Sequence, residues 1–297
     1  MENYYNDEDP HEKYERLMSQ KDKETKKKWI KEQEQLKKKL ILKDIHDWTF
    51  NIQQKDNKTQ NTLKYIAGCD ISFCHDFEEY GVSALIVVDL KMHIVYEKYK
   101  IVKLTEPYIP SFLAFREVKH IEDLLKELKK NKPEFYPQVV LCDSNGILHT
   151  RKFGMACHLG VIMDIPTIGC SKNSFYVDGI TKEYVLDEIK NFKKGDKLEL
   201  KGKTNGYLYG YAFISSNNEE PIFISQGHRV SAQTALDIVK FCLKGDRIPE
   251  PIRFADLYSR KIAKYINELN EIEWKEFNLD SFLENRMDQL HNKKYLK

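Results

Sequence analysis

The chain reads as an α/β protein with one mixed β-sheet flanked by helices. Short apolar runs alternate with segments of helical periodicity, in the order three strands, helix, strand, helix, strand. At 297 residues, with 41% hydrophobic and 32% charged residues, it can hold a sizeable core, which argues against wholesale disorder.

Residues 1–20 are acidic and polar and are expected to be disordered. Residues 21–46 read as a helix with a thin apolar side of Trp29, Ile30, Leu36, Leu40 and Ile41. Within 21–40, nine lysines stand against four acids, which suits either a solvated helix or an arm following a phosphate backbone. Residues 51–62 are a polar connector.

YIAGCDISF (65–73) is a short apolar run, as in a buried strand. VSALIVVDL (82–90) and HIVYEKYKIV (93–102), separated by Lys91 and Met92, form an antiparallel hairpin. The turn TEPYIP (105–110) leads to a helix over 111–130. A strand at 138–143, a glycine-bearing loop, a helix near 155–164 and a strand at 166–171 follow. Residues 193–206 form an exposed loop or hairpin. YLYGYAFIS and PIFISQG are two more strands, and helices at 231–243 and about 252–267 close a single domain, 21–267. Residues 268–297 are an extension whose tail from 271 is charged and aromatic.

No apolar run is long enough to span a bilayer, and the N-terminus lacks the basic start and apolar stretch of a secretory signal. The expectation is a monomeric protein of the cytoplasm, with the nucleus as a further compartment. Six cysteines without a CxxC pair fit buried, reduced thiols better than a zinc site.

Acids in apolar surroundings carry the functional signal. Asp70 lies inside YIAGCDISF and Asp143 ends VVLCD. On a helical wheel, Glu117 shares an arc with Leu113, Ile121, Leu124 and Leu128, while Lys119, Glu122, Asp123 and Lys126 face away. An ionised carboxylate in such a place costs several kcal/mol unless compensated. A cap or a basic neighbour could satisfy any one of them. Three together point to a hard divalent cation, Mg2+ with Mn2+ as a substitute, which takes carboxylate oxygens and retains waters. Asp256, in RFADLYSR, is a candidate fourth carboxylate. Asp89 and Asp164 end elements, where acids serve turns and caps.

These residues lie in segments that resemble the endonuclease V family: AGCDISF, PYIPSFLAFREV, LCDSNGILHTRKFGMACHLGVIMDIPTIGCSKN, FISQGHRVSAQTALDIV and RIPEPIRFADLYSR, in matching order and spacing over roughly residues 25–265. The resemblance implies a ribonuclease-H-like fold with Asp70, Glu117 and Asp143 as metal ligands. It implies cleavage of the second phosphodiester bond 3′ to inosine, leaving a 3′-hydroxyl and a 5′-phosphate. Pro107, Tyr108, Ile109 and Pro110 correspond to the wedge that fills the gap left by an extruded base. Leu113, Ser144, Gly146 and Met155 lie where backbone groups form the base pocket, with Ser144 replacing the family's usual glycine. Lys172 corresponds to a lysine near the cleaved strand, and His228 to a histidine beside the metal. Arg151, Lys152 and Arg229 are candidate phosphate contacts. KKWIKEQEQLKKKL, CHLGVIMDIP and NSFYVDGI resemble the eukaryotic branch, which implies inosine-containing RNA as the partner. The second proline of PYIP is more typical of bacterial forms, which act on deoxyinosine in DNA. A module that binds inosine without cutting is a third reading, disfavoured because the acids, Lys172 and His228 are all present.

Overall fold

In a computed structural model, which describes residues 17–50, 62–77, 79–173, 176–217 and 220–291, eight strands form one mixed sheet in the order β3-β2-β1-β4-β5-β8-β7-β6. The strands are β1 (Ile66–Phe73), β2 (Tyr80–Val88), β3 (Ile94–Lys103), β4 (Val139–Cys142), β5 (Thr167–Ser171), β6 (Lys197–Lys201), β7 (Leu208–Phe213) and β8 (Ile222–His228). β4 runs parallel to both β1 and β5, so the C-terminal ends of these three central strands open on the same edge of the sheet. The fold is ribonuclease-H-like, as the sequence predicts.

β2 and β3 form the expected hairpin, but its turn is wider than two residues. Asp89 Oδ1 accepts the amides of Lys91 (2.8 Å) and His93 (2.9 Å), and Met92 takes a positive φ of 66°. Asp89 is thus a turn acceptor. The stretch over 193–206 supplies β6, which pairs with β7 as a hairpin.

Helices cover both faces. On one lie α2 (Leu113–Asn131) and α3 (Met155–Met163), packing Val118, Ile121, Leu125, Ala156 and Leu159 against Ala67, Cys69, Val87 and Val140. On the other lie α5 (Ala232–Cys242) and α6 (Glu250–Asn267), packing Leu236, Val239, Ile252 and Ala255 against Ile66, Ile86, Val139 and Ile168. The division follows the two-residue period of β1, which sends Ala67 and Cys69 one way and Ile66 the other. Gly68 faces α6 so closely that a Cβ would stand 2.1 Å from the carbonyl carbon of Pro251.

α1 (Gln20–Lys37) begins at Ser19, whose Oγ accepts the Asp22 amide at 3.1 Å. It ends nine residues before the expected boundary, and the chain then runs as a strap along β8. The Ile41 amide donates to His228 Nδ1 (3.2 Å), and Gln226 Nε2 donates to Leu42 O (2.9 Å). Trp29 of α1 stacks on Phe115 at 4.9 Å and shares a cluster with Met18, Ile109 and Phe112. Of the N-terminal segment expected to be disordered, residues 1–16 lie outside the described residues, while Met18 is buried. Most of the connector, 51–61, also lies outside them.

Three helices have no counterpart in the sequence reading. α4 (Lys182–Ile189) starts at Thr181, whose Oγ1 accepts the Tyr184 amide. Past residue 270, a capping box of Asn270 and Glu273 opens α7 (Glu271–Glu276), and α8 (Leu279–His291) follows. All six cysteines are buried thiols. No helix among the described residues is long and apolar enough to cross a membrane.

Candidate active site

β1 and β4 bring the first two acids together. Cys69 pairs with Cys142, and the Asp143 amide donates to Cys69 O at 3.4 Å, so Asp70 and Asp143 follow one another into the same edge. Glu117 comes from α2, in the opposite layer to α6, and is only 7% exposed. Burial and the Asp143 and Asp256 carboxylates push Asp70 up to about 7. Burial and Asp70 push Glu117 up to about 8. Burial also raises Asp143, against the pull of Lys172. Desolvation is the first cause of each shift, and like charge is the second for Asp70 and Glu117.

Asp256 of α6 is the fourth member, as the sequence suggested more weakly. Lys172 Nζ stands 3.6 Å from Asp143 Oδ2 and 3.5 Å from Asp256 Oδ2, while Arg260 pairs with the other Asp256 oxygen. Ser259, three residues along α6, donates to Asp70 Oδ2 at 3.1 Å and lies 2.8 Å from the Ser72 hydroxyl. The carboxyl of Glu117 makes no hydrogen bond or ion pair among the described residues.

Four carboxylates and no soft donor suit a hard divalent cation. The fit is one of chemistry more than of finished geometry. Among the described residues, no three His, Cys, Asp or Glu side chains are gathered closely enough to hold an ion, and the Lys172 ammonium takes the intervening position.

A cavity of about 340 Å3 adjoins the acids, with Asp143 and Lys172 in its wall. Tyr108, Ile109 and Pro110 line it, as do Leu113, Ser144 and Met155. Tyr108 is 55% exposed, whereas Ile109 is 1% exposed and rooted in the Trp29 cluster, so the turn drives an aromatic ring outward from a rigid base. Pro107 borders a separate shallow hollow with Lys21 and Arg116. Two polar atoms in residues lining the main cavity, Ser144 Oγ and Asn145 Oδ1, are buried without a hydrogen bond. Leaving such a group unsatisfied costs about 1–3 kcal/mol.

Several expected site residues fall elsewhere. The Gly146 amide donates to Ser225 Oγ (2.9 Å) and its carbonyl accepts from Gly154 N (2.9 Å). A Cβ there would meet Gln226 O at 1.9 Å, so Gly146 joins the loop to β8 and does not line the cavity. The Ser144 amide donates to Cys142 O at 2.7 Å and so is taken up by the loop itself. Arg151 turns to α1, pairing with Gln33 and with Glu34 at 3.1 Å, and Lys152 lies 5.2 Å from the Tyr209 ring centre.

His228 lies away from the acid cluster. It pairs with Thr167, at the start of β5, whereas Lys172 follows the end of that strand. Four residues at roughly 3.3 Å each separate the two ends, on the order of 13 Å. His228 is 2% exposed, accepts the Ile41 amide at Nδ1 and has Nε2 3.5 Å from Asp164 Oδ1. Burial holds its pKa below the usual histidine value, which favours a neutral ring fixed in one tautomer. Arg229 forks onto Asp164 at 2.7 and 3.0 Å and lines a different cavity, with Asp44, His46 and Trp48. Asp164 itself caps α3 at φ 51°.

A ribonuclease-H-like sheet with acids massed at the ends of its central parallel strands defines a nuclease that cleaves phosphodiesters. Residues 47–257 match the family model for Endonuclease V. Human Endonuclease V is 37% identical over 237 residues, 78% of this chain and 81% of the human protein. The crystal structure of the human catalytic domain is similar at a TM-score of 0.73 and 35% identity, over 82% of this chain and 97% of that one. Ciona intestinalis Endonuclease V, in complex with a 23mer DNA containing an inosine followed by a ribo-adenosine, matches at 0.74 and 35%, over 84% of this chain and 100% of that one. The chain belongs to the endonuclease V family and is an endonuclease acting on nucleic-acid phosphodiester bonds.

Proposed function

We propose that this protein is a divalent-metal-dependent, inosine-specific endoribonuclease acting as a monomer. It cuts the second phosphodiester bond 3′ to inosine in single-stranded RNA and leaves a 3′-hydroxyl and a 5′-phosphate. One observation carries the reading: the cavity beneath Tyr108 shares Asp143 and Lys172 with the acid cluster, so a base held there leaves its own strand running across the carboxylates.

Asp70, Glu117, Asp143 and Asp256 would hold the metal, Mg2+ in the first instance. When bound, it offsets their mutual repulsion and supplies a water of lowered pKa. Lys172 then exchanges its two carboxylate partners for the scissile phosphate, to which it presents a point charge. Tyr108 stacks where the extruded base was, and Ile109 keeps that ring from yielding. Guanine differs from hypoxanthine by an exocyclic amine, which a close-fitting pocket excludes by clash and by an unpaired donor.

The RNA preference rests on the segments that resemble the eukaryotic branch, a likeness in keeping with the human and mouse relatives, each 37% identical. Deoxyinosine-containing DNA is the second reading, favoured by the inosine-containing DNA in the Ciona complexes. Matched RNA and DNA strands, each with one inosine, test both. Products mapped to the second 3′ phosphodiester of the RNA strand support the proposal. Faster cutting of the DNA strand replaces it with the repair reading, and binding without cutting in Mg2+ or Mn2+ refutes both.

A further inference from the structure

α1 carries seven lysines against four acids. A charged helix commonly has nothing but water on its outer face. The position of α1 argues for more, because it backs two walls of the cavity. Trp29 packs with Ile109 and Phe112 at the root of the Tyr108 turn, and Gln33 Nε2 donates to Phe153 O at 2.9 Å in the 149–153 loop. Tyr108, Ile109, His149 and Phe153 all line the cavity.

Three of the four acids of α1 have partners. Asp22 accepts the Ser19 hydroxyl at 2.7 Å, Glu24 accepts Gln20 Nε2 at 3.2 Å, and Glu34 pairs with Arg151 at 3.1 Å. The lysines of the outer face do not. Lys23, Lys27 and Lys31 are exposed and enter no ion pair among the described residues. They recur every four residues and so form one row along the helix. Like charges at that spacing disfavour a helix, and an anionic partner would offset this. Lys26 lies beside the row, where burial and the Arg151 charge hold it below the ordinary lysine value. Lys37 Nζ donates to Arg151 O at 2.9 Å. The positive field of this flank reaches the cavity wall: burial, and then the charges of Arg151 and Lys37, push His149 down to about 4.

We infer that Lys23, Lys27 and Lys31 form a track for the phosphates of the strand on the 5′ side of the extruded base. This rests on the reading that the cavity takes the base and the acids take the cut on its 3′ side. Asp143 and Lys172 belong to the wall shared with the acids, so the strand leaves across it in the 3′ direction. The walls backed by α1 are left to the 5′ direction. Successive lysines of the row are about 6 Å apart along the axis, a spacing comparable with that of phosphates in an extended single strand. An ammonium group meets a phosphate as a point charge and reads no base, so the track adds affinity without sequence preference.

The test measures the affinity of the full chain for fluorescent single-stranded RNAs with one inosine, by anisotropy over a range of salt concentrations, with Ca2+ replacing Mg2+ to slow cutting. One strand extends mainly 5′ of the inosine and the other mainly 3′. Lys23→Gln, Lys27→Gln and Lys31→Gln together should raise Kd for the first strand about tenfold and make its logarithmic salt slope shallower by about 2, as for three phosphates of a single strand. Kd for the second strand should not move. Lys23→Arg, Lys27→Arg and Lys31→Arg together retain the charge and should keep both affinity and slope. Equal losses on the two strands, an unchanged slope, or an Arg variant as weak as the Gln variant would overturn the inference. A wild-type protein that binds inosine and adenosine strands equally would overturn the base-pocket reading itself. Inosine preference intact beside an unchanged slope in the Gln variant overturns the track alone and leaves α1 a solvated face.

Discussion

Lys172 Nζ lies 3.5 Å from Asp256 Oδ2, joining the end of β5 to the middle of α6 across the acid cluster. The ammonium lies where a metal ion would compete for the same oxygens. Lys172→Gln should therefore tighten Mn2+ binding, measured by calorimetric titration, while lowering kcat about 10²–10³-fold through loss of a phosphate contact. Weaker metal binding in the variant would mean that Lys172 organises the acids instead of competing for them.

Asp70→Ala and Asp143→Ala should abolish cleavage while largely sparing affinity for an inosine strand, and Asp256→Asn should do the same. Above about pH 8, where the buried acids would ionise and repel one another, Asp70→Ala should also raise the melting temperature of the ion-depleted protein. Loss of strand binding together with cleavage, in a variant that still melts cooperatively, would contradict the ligand roles.

The raised carboxyls make stability depend on pH in a defined sense. Asp70 at about 7 and Glu117 at about 8 exceed their ordinary values of 3.8 and 4.5, so the folded chain holds protons that the unfolded chain releases. The associated stability is fully present below the ordinary values and is lost as pH rises through 7 to 8. With chelator present, the melting temperature should fall between about pH 5.5 and about pH 8.5, and Mg2+ should restore more of it at the higher pH. A chelated protein that grows more stable across that interval would show that the acids are not held protonated.

Tyr108→Ala should raise KM for a structured inosine strand well beyond any change in metal affinity, because the ring acts on the nucleic acid and not on the carboxylates. Equal damage to both, read from strand binding and metal titration in parallel, would count against a wedge.

His228→Ala should behave as a packing variant. Its ring is pressed against Gly160, whose added Cβ would lie 2.4 Å from His228 Cβ, and it anchors the Ile41 strap. The expected cost is about 1–3 kcal/mol of stability, with kcat in Mg2+ close to that of the unaltered protein. A collapse of kcat without destabilisation would restore the histidine to the reaction.

The acids were legible in sequence because a carboxylate inside an apolar run, or on the buried arc of a helix, stands out against its neighbours. Asp70, Glu117 and Asp143 all show that contrast. Asp256 does not, since an acid among Arg253, Asp256 and Arg260 resembles an ordinary solvated helix face. Only the packing of α6 on β1 shows where that face points. The position of His228 was not legible for the complementary reason: a motif gives a residue's neighbours along the chain but not which end of a strand it occupies. Gly146 and Arg151 were likewise drawn off by partners distant in sequence, Ser225 and Gln33. α4 went unread because eight residues give too little periodicity, although Thr181 ahead of Val185 and Ile189 marks its start.

The approach of α6 to β1 at Gly68 gives a position without a side chain control over Asp256, a ligand of the proposed metal site. Any methyl group there would have to lever the helix outward at Pro251, and Asp256, five residues further along, would swing with it. A substitution at Gly68 would thus present as a stability defect while disarming the proposed metal site, a lesion that a survey confined to polar residues would pass over.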